Sequence, residues 1–157
     1  MIDRRTFISG SLSGLVSGRL FGGETLPPPE LLYRKLGNTG IDIPIVGMGV
    51  MNTRDPELVK KSYASGIRLF DTAKAYGNGE NEKMTGDVFK ELGVRKRITL
   101  QTKVLHPVGR GMGRSPEPLT EKQIKQKVVE EVNGSLKRLQ TDVIDILYYH
   151  AVDDLAR

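Results

Sequence analysis

Four short apolar runs recur along the chain after residue 44, and stretches with helical spacing separate them. The runs cover residues 45–49, 67–72, 98–104 and 143–149 and are nearly continuous in Ile, Leu, Val, Phe and Tyr. Continuous apolar runs, as opposed to alternating ones, are typical of strands buried on both faces of a parallel sheet. We therefore expect an α/β fold in which the strands of a parallel sheet alternate with helices.

Clear end signals bound the helices between these runs. Asp55-Pro56 supplies an N-cap and a first-turn proline for a helix that Gly66 closes. A second helix is predicted from Glu80 to Leu92 with Gly93 as its stop, and a third begins near Thr120. Apolar stripes predict their core-facing sides: Met84, Val88 and Leu92, then Ile124, Val128, Val132, Leu136 and Leu139. The pattern alone does not separate an open sheet from a closed barrel.

A β-hairpin is predicted ahead of this repeat. The segments 33–36 and 41–44 flank the turn Gly37-Asn38-Thr39-Gly40. Three prolines at 27–29 form an extended spacer, which divides a leader over residues 1–29 from a domain over residues 30–157.

The leader resembles an export signal. Asp3-Arg4-Arg5-Thr6-Phe7-Ile8 resembles the twin-arginine motif, and a weakly apolar stretch rich in Ser and Gly follows, broken by Arg19. That stretch is shorter and more polar than the roughly 20 apolar residues of a transmembrane helix, so no stable membrane span is expected. The leader predicts a periplasmic or exported protein. The alternative is a plain tail on a cytoplasmic protein.

The amino-acid composition indicates the class of protein and excludes some kinds of site. The chain of 157 residues is 38% hydrophobic and 27% charged, as in soluble globular proteins. Its net charge is +5, but the basic residues are scattered and mixed with acidic ones, which argues against a nucleic-acid partner. There is no cysteine and there are only two histidines, so a disulfide framework and a Cys- or His-rich metal site are excluded.

Polar residues that could take part in catalysis lie at the ends of three of the apolar runs. Asp71 lies at the end of the second run, Lys103 at the end of the third, and His150 directly after the fourth. Tyr76 follows Asp71 in a Gly-rich loop. The carboxyl ends of parallel strands share one edge, where α/β enzymes build their sites. Singly, each residue has an ordinary structural role as a turn cap, a solvated lysine or a surface histidine. Together they suit proton transfer, because a nearby ammonium lowers the pKa of a phenol and a carboxylate holds the ammonium in place.

These residues lie in blocks that closely resemble the aldo-keto reductase family. The blocks are GIRLFDTAKAYGNGE, the Thr102-Lys103 pair and SLKRLQTDVIDILYYH, and the opening RKLGNTGIDIPIVGMG is similar to the family's barrel-floor hairpin and first strand. The resemblance covers residues 33–157. It implies a (β/α)₈ TIM barrel that reduces an aldehyde or ketone, a small-molecule carbonyl, to an alcohol with NADPH.

The resemblance also implies a role for each matching residue. Tyr76 corresponds to the general acid, Lys103 to the residue that favours its ionisation, Asp71 to the partner of Lys103 and His150 to the residue that orients the carbonyl. The positions that match the family's contacts with the nicotinamide end of NADP are Gly49, Val50, Met51 and Asp71.

Two further segments are weaker candidates. His106 follows Lys103 in a loop rich in Gly and Pro, where it either lines the substrate mouth or is a solvated loop histidine. The segment 109–114 alternates Gly with Arg and Met and suits either phosphate binding or a mobile loop. Gly47-Met48-Gly49 is too short for a dinucleotide fingerprint, because no third glycine opens a helix after it.

The resemblance implies a barrel truncated after the fourth strand. A (β/α)₈ barrel typically needs about 250 residues, and four strands would leave an apolar edge open to self-association. A truncated or split reading frame and a half-barrel that dimerises both account for this. The alternatives to a reductase are a non-catalytic binding module with the same fold and an inactive fragment.

Overall fold

A computed structural model describes residues 31–105 and 119–150 of the protein. The candidate leader over residues 1–29, His106 and the segment 109–114 all lie outside the described residues. Within the described ranges, no helix is long and apolar enough to span a membrane.

The chain begins its described part with the predicted hairpin. Strand β1 (Tyr33–Lys35) pairs antiparallel with β2 (Asp42–Pro44), so that Tyr33 lies opposite Pro44. The turn between them contains Gly37 and Gly40 at φ values of 52° and 77°, in the left-handed region that glycine adopts without strain. The hairpin prediction is confirmed.

A parallel sheet of four strands follows, in the order of the sequence. Its strands are β3 (Gly47–Gly49), β4 (Leu69–Asp71), β5 (Thr99–Leu105) and β6 (Ile146–His150). Each strand pairs with the next along the chain, and all three pairings are parallel. The α/β prediction with a parallel sheet is therefore confirmed.

In the described part of the chain, three α-helices connect the strands and have the predicted caps. Helix α1 (Pro56–Ala64) begins after Asp55, whose Oδ1 accepts a hydrogen bond of 2.9 Å from the Glu57 N–H. Helix α2 (Glu80–Leu92) ends at Gly93 in the left-handed conformation. Helix α3 (Glu121–Leu139) begins with a capping box in which Thr120 and Gln123 satisfy each other's backbone N–H groups.

The helices cover one face of the sheet. A single core joins Val59 of α1, Val88 and Phe89 of α2 and Leu139 of α3 to Phe70 on β4. Helices α1 and α2, and likewise α2 and α3, pack side by side. An open doubly wound sheet carries helices on both faces, whereas neighbouring helices on one face are typical of an arc of a (β/α)-barrel.

Strand burial and strand bounds depart from the prediction. In β5 the residues Leu100, Thr102 and Val104 are buried toward the helices while those between them are only half-buried, and β6 exposes Leu147, Tyr148 and Tyr149. The prediction that every strand is buried on both faces is wrong for the described part, because alternate residues of β5 and most residues of β6 remain accessible on one face. Strand β6 also starts later than its apolar run, since side chains hold residues 143–145: Arg95 donates to Val143 O, and Asp145 accepts from Leu100 N.

One helix stripe was assigned inaccurately. Val88 is buried and Met84 packs against the core, but Leu92 is 36% exposed. The buried face of α2 starts instead with Asn81, Glu82 and Thr85, polar residues that a hydrophobic pattern does not select. On α3 the predicted stripe ends in the buried Leu139, while its other members are half-buried.

Candidate active site

The sheet register brings the strand-end residues to one edge. Gly49 at the end of β3 lies opposite Asp71 at the end of β4, and Asp71 lies opposite Gln101 on β5. Two residues further along β5, Lys103 lies opposite Tyr148, and His150 ends β6. Side chains two residues apart on a strand share a face, so Gln101 and Lys103 project on the same side.

Asp71 and Lys103 form an ion pair at this edge. Lys103 Nζ lies 2.6 Å from Asp71 Oδ1 and also donates a 2.9 Å hydrogen bond to the carbonyl oxygen of Thr72. The side chains of Lys103 and Asp71 are only 15% and 25% exposed. The ammonium is therefore fixed by two oxygens of the β4 end and is partly shielded from water.

Tyr76 reaches this pair from the loop after β4. It begins a short 3₁₀ turn, Tyr76–Gly79, in which Gly77, Asn78 and Gly79 have φ values of 61°, 55° and 94°. Three consecutive left-handed residues turn the chain sharply from the strand end into α2, which explains the two glycines. Lys103 Nζ lies 4.8 Å from the centre of the Tyr76 ring.

His150 completes the cluster from the far strand. Its ring meets that of Tyr76 edge to face, with centroids 5.7 Å apart and planes at 86°. Its Nδ1 is buried and has no hydrogen-bond partner among the described residues. A buried polar atom without a partner is costly.

The three consecutive candidates after β3 have different surroundings. Gly49 is exposed, and a Cβ there would meet nothing within 4 Å. Val50 is fully buried in the core, and only its main chain touches the site: its N–H donates to Asp71 O over 2.9 Å. Met51 is 54% exposed and lines a cleft of about 380 Å³ together with Arg54 and Gly77.

Two residues of the site were missed in the sequence. Gln101 donates a 2.7 Å hydrogen bond to Asp71 Oδ1, the same oxygen that binds Lys103. The buried Asn81 accepts from Thr72 Oγ1 over 2.7 Å and donates to Val50 O, so it links the ends of β3 and β4. The period-2 spacing of Gln101 and Lys103 could have indicated the first residue, but no local pattern indicated Asn81.

This arrangement suits acid–base chemistry. In the described part of the chain, no three His, Cys, Asp or Glu residues group closely enough to hold a metal ion. A phenol, an ammonium, a carboxylate and an imidazole from three strand ends and one loop instead converge at a partly shielded edge.

Comparison with known proteins identifies the family of this chain. The Aldo/keto reductase family profile matches residues 48–156. The chain belongs to this family. Aldo-keto reductase YhdN of Bacillus subtilis is 33% identical over 134 residues, which are 78% of this chain and 39% of that protein. A probable voltage-gated potassium channel subunit beta of Arabidopsis thaliana is 33% identical over 130 residues, which are 77% of this chain and 38% of that protein.

A solved structure of another aldo-keto reductase shares the fold. The holo form of AKR11C1 from Bacillus halodurans superposes with a TM-score of 0.61 at 31% identity, covering 75% of this chain and 39% of that one. This aldo-keto reductase chain thus spans about two fifths of the length of the relatives it matches. The fold neighbours imply a (β/α)₈ barrel for the family member as a whole.

Proposed function

We propose that the protein reduces an aldehyde or ketone to an alcohol with NADPH, with Tyr76 as the general acid. The observation that carries the proposal is the position of the Lys103 ammonium, 2.6 Å from Asp71 Oδ1 and 4.8 Å from the Tyr76 ring centre. A positive charge at this position favours the developing phenolate as the phenol gives up its proton.

Each neighbour of Tyr76 has a defined part in this proton transfer. Asp71 fixes Lys103 by an ion pair, and Gln101 holds the same carboxylate oxygen from the side. His150 lies edge to face with Tyr76, so its imidazole would orient the carbonyl oxygen toward the phenol. The phenolic proton passes to the carbonyl oxygen as that oxygen gains negative charge.

The residues around Gly49 fit a flat cofactor ring. Gly49 offers an open surface at the strand end, directly beside Asp71 in the sheet register. Gly49 and Asp71, with the main chain of Val50 and the exposed Met51, would hold the nicotinamide end. When bound, NADPH supplies the hydride for the carbonyl carbon. The solved structure of the Bacillus halodurans relative is a holo form, which supports a bound cofactor in this proposal.

A binding module is the second candidate function. The Arabidopsis relative is described as a channel subunit, and it is as similar to this chain as the bacterial reductase is. Tight NADPH binding without turnover of any carbonyl would favour this candidate.

The deciding experiment is an assay of NADPH oxidation with a panel of aldehydes and ketones. It is run on the chain itself and on a fusion that adds the C-terminal half of the YhdN barrel, because the chain spans 39% of that relative. We expect turnover in the fusion, and NADPH binding measured by fluorescence. A fusion that folds and binds NADPH but turns over no carbonyl would overturn the reductase proposal.

A further inference from the structure

One carboxylate on α3 contacts both the loop that carries the proposed acid and the strand that carries its lysine. Glu131 Oε1 accepts a 2.8 Å hydrogen bond from Lys74 Nζ, and Glu131 Oε2 accepts a 3.0 Å hydrogen bond from the Leu105 N–H. Lys74 lies between Asp71 and Tyr76 in the loop after β4, and Leu105 ends β5 two residues after Lys103. Glu131 therefore bridges the two segments whose relative position sets the distance from Lys103 to Tyr76.

The bridge is partly shielded from solvent. The side chains of Lys74 and Glu131 are 34% and 20% exposed, less than those of Lys83 and Asp87 in the surface pair on α2, which are 59% and 49% exposed. Hydrogen bonds with an ionised partner are shorter and stronger than neutral ones, and shielding reduces their screening by water. The neighbouring Glu130, by contrast, is exposed, and within the described ranges it binds only Gln126 on its own helix.

The same face of α3 also holds the loop on the far side of Tyr76. Arg138 lies seven residues after Glu131, two helical turns along the same face. Its Nε donates a 2.7 Å hydrogen bond to the buried Glu82, and its side chain packs so closely on Gly79 that a Cβ there would lie 2.7 Å from Arg138 Cδ. Helix α3 thus fixes the Tyr76 segment both before and after the tyrosine.

We propose that Glu131 is a positioning residue, which sets Tyr76 against Lys103 by tying the loop after β4 to the end of β5. This proposal rests on the proposed reduction for its effect on turnover. Its effect on the loop does not depend on any activity. Because Lys74 and Leu105 are the only partners that Glu131 has within the described residues, neutralising its carboxylate weakens both ties.

The test compares Glu131→Gln, Lys74→Met and the matched control Glu130→Gln in the full chain. The first readout is amide hydrogen exchange over residues 72–79 and 103–105. In Glu131→Gln we expect the exchange rate in both segments to rise by about tenfold, which is the effect expected from the loss of one charge-assisted hydrogen bond. Lys74→Met should raise it over residues 72–79 only, and Glu130→Gln in neither segment.

The second readout is steady-state kinetics, measured on the protein that turns over a carbonyl in the assay above, either the chain itself or its fusion with the C-terminal half of YhdN. We expect kcat to fall about tenfold in Glu131→Gln with KM for NADPH unchanged, since the acid is displaced while the cofactor surface at Gly49 is not touched. Glu130→Gln should match the parent protein.

Failures of the two proposals give different results. If the parent turns over no carbonyl, the proposed reduction fails, while the exchange comparison still decides the role of Glu131. If exchange and kcat in Glu131→Gln equal those in Glu130→Gln, the positioning role is overturned. A uniform rise of exchange across the sheet would likewise overturn it, because Glu131 would then support only the overall fold.

Discussion

The rings of Tyr76 and His150 meet edge to face, with centroids 5.7 Å apart and planes at 86°. One ring comes from the turn that leads into α2 and the other from the last described strand. The contact depends on the ring of Tyr76 and not on its hydroxyl group. The chemistry of the phenol can therefore be removed while the packing that positions His150 is kept.

Tyr76→Phe should abolish carbonyl reduction without loss of NADPH binding. The substitution removes only the hydroxyl group, and a positioned general acid contributes about 10² or more to kcat. Steady-state assays and a fluorescence titration with NADPH measure the two effects separately. Turnover close to that of the parent would contradict the assignment of Tyr76 as the acid.

Lys103→Met should lower the rate of reduction. The substitution removes the ammonium 4.8 Å from the Tyr76 ring centre, and with it the positive charge that stabilises the developing phenolate in the proposed mechanism. Steady-state assays of kcat measure the effect. A kcat equal to that of the parent would leave Lys103 with a structural role only.

The sequence predicted the elements well because their end signals are local. The cap of Asp55, the stop at Gly93 and the box formed by Thr120 each depend on residues a few positions apart. The strand-end positions of Asp71 and Lys103 also followed from the sequence, since parallel strands align their carboxyl ends. The family resemblance, rather than periodicity, gave these residues their roles.

Long-range polar contacts could not be predicted in the same way. Asn81 and Glu82 are buried on α2 because their partners, Thr72 and Arg138, come from distant segments. A hydrophobic pattern reads such positions as solvent-facing, so it placed Leu92 in the core instead. The exposure of β6 likewise depends on which strands flank it, and sequence pattern carries no such information.

Gly86→Ala should destabilise the protein although alanine is the better helix former. Replacing a glycine inside a helix with alanine usually stabilises the helix by about 0.5–1 kcal/mol. Here a Cβ would lie 2.7 Å from the main chain of Arg138 and Leu139, and overpacking of this kind costs about 1–3 kcal/mol. Urea denaturation gives the free energy of unfolding.

Gly134→Ala is the matched control for this prediction. Gly134 is a helical glycine, and the atom nearest to an added Cβ would be the flexible end of the Arg138 side chain, at 3.1 Å. The change in unfolding free energy for this variant should be clearly smaller than that of Gly86→Ala. Equal changes would show that the close approach of α2 and α3 does not limit residue size at position 86.

Asp87→Asn should lower stability within a defined pH range. The pKa of Asp87 is lowered from its ordinary value of 3.8, chiefly by the hydrogen bond from Lys83. The pKa of Lys83 is raised from 10.5, chiefly by the same bond. The lowered pKa of Asp87 stabilises the fold at pH values above 3.8, and this stabilisation is lost as the pH falls through the folded-state pKa. The raised pKa of Lys83 stabilises the fold at pH values below 10.5, and this stabilisation is lost as the pH rises through the folded-state pKa.

Parent and Asp87→Asn should accordingly differ most between these limits and converge in acid. The pair is exposed, so the difference should be small and should shrink in high salt. Urea denaturation at neutral pH and near pH 3, in low and high salt, measures it. A difference that persists in acid would point to the bond with Gln140 instead.

Residues 1–29, fused to a folded reporter, should send it to the periplasm. Arg4 and Arg5 precede a Ser/Gly-rich apolar stretch, as in a twin-arginine signal, a route that carries folded proteins. Replacing both arginines with lysine should keep the reporter in the cytoplasm. Fractionation of cells expressing each fusion measures this, and a cytoplasmic reporter with the native leader would leave the segment as a plain tail.

The burial of Glu82 has a consequence for the order in which the nascent chain folds. Its carboxylate is fully buried between Thr102 of β5 and Arg138 of α3, and a buried carboxylate without its partner costs about 3–5 kcal/mol. Strands β3, β4 and β5 with α1 and α2 therefore cannot reach their final packing on the ribosome until Arg138 has emerged. A chain ending at Leu119 should leave α2 unprotected in hydrogen exchange, whereas native-like protection there would show that α2 docks without α3.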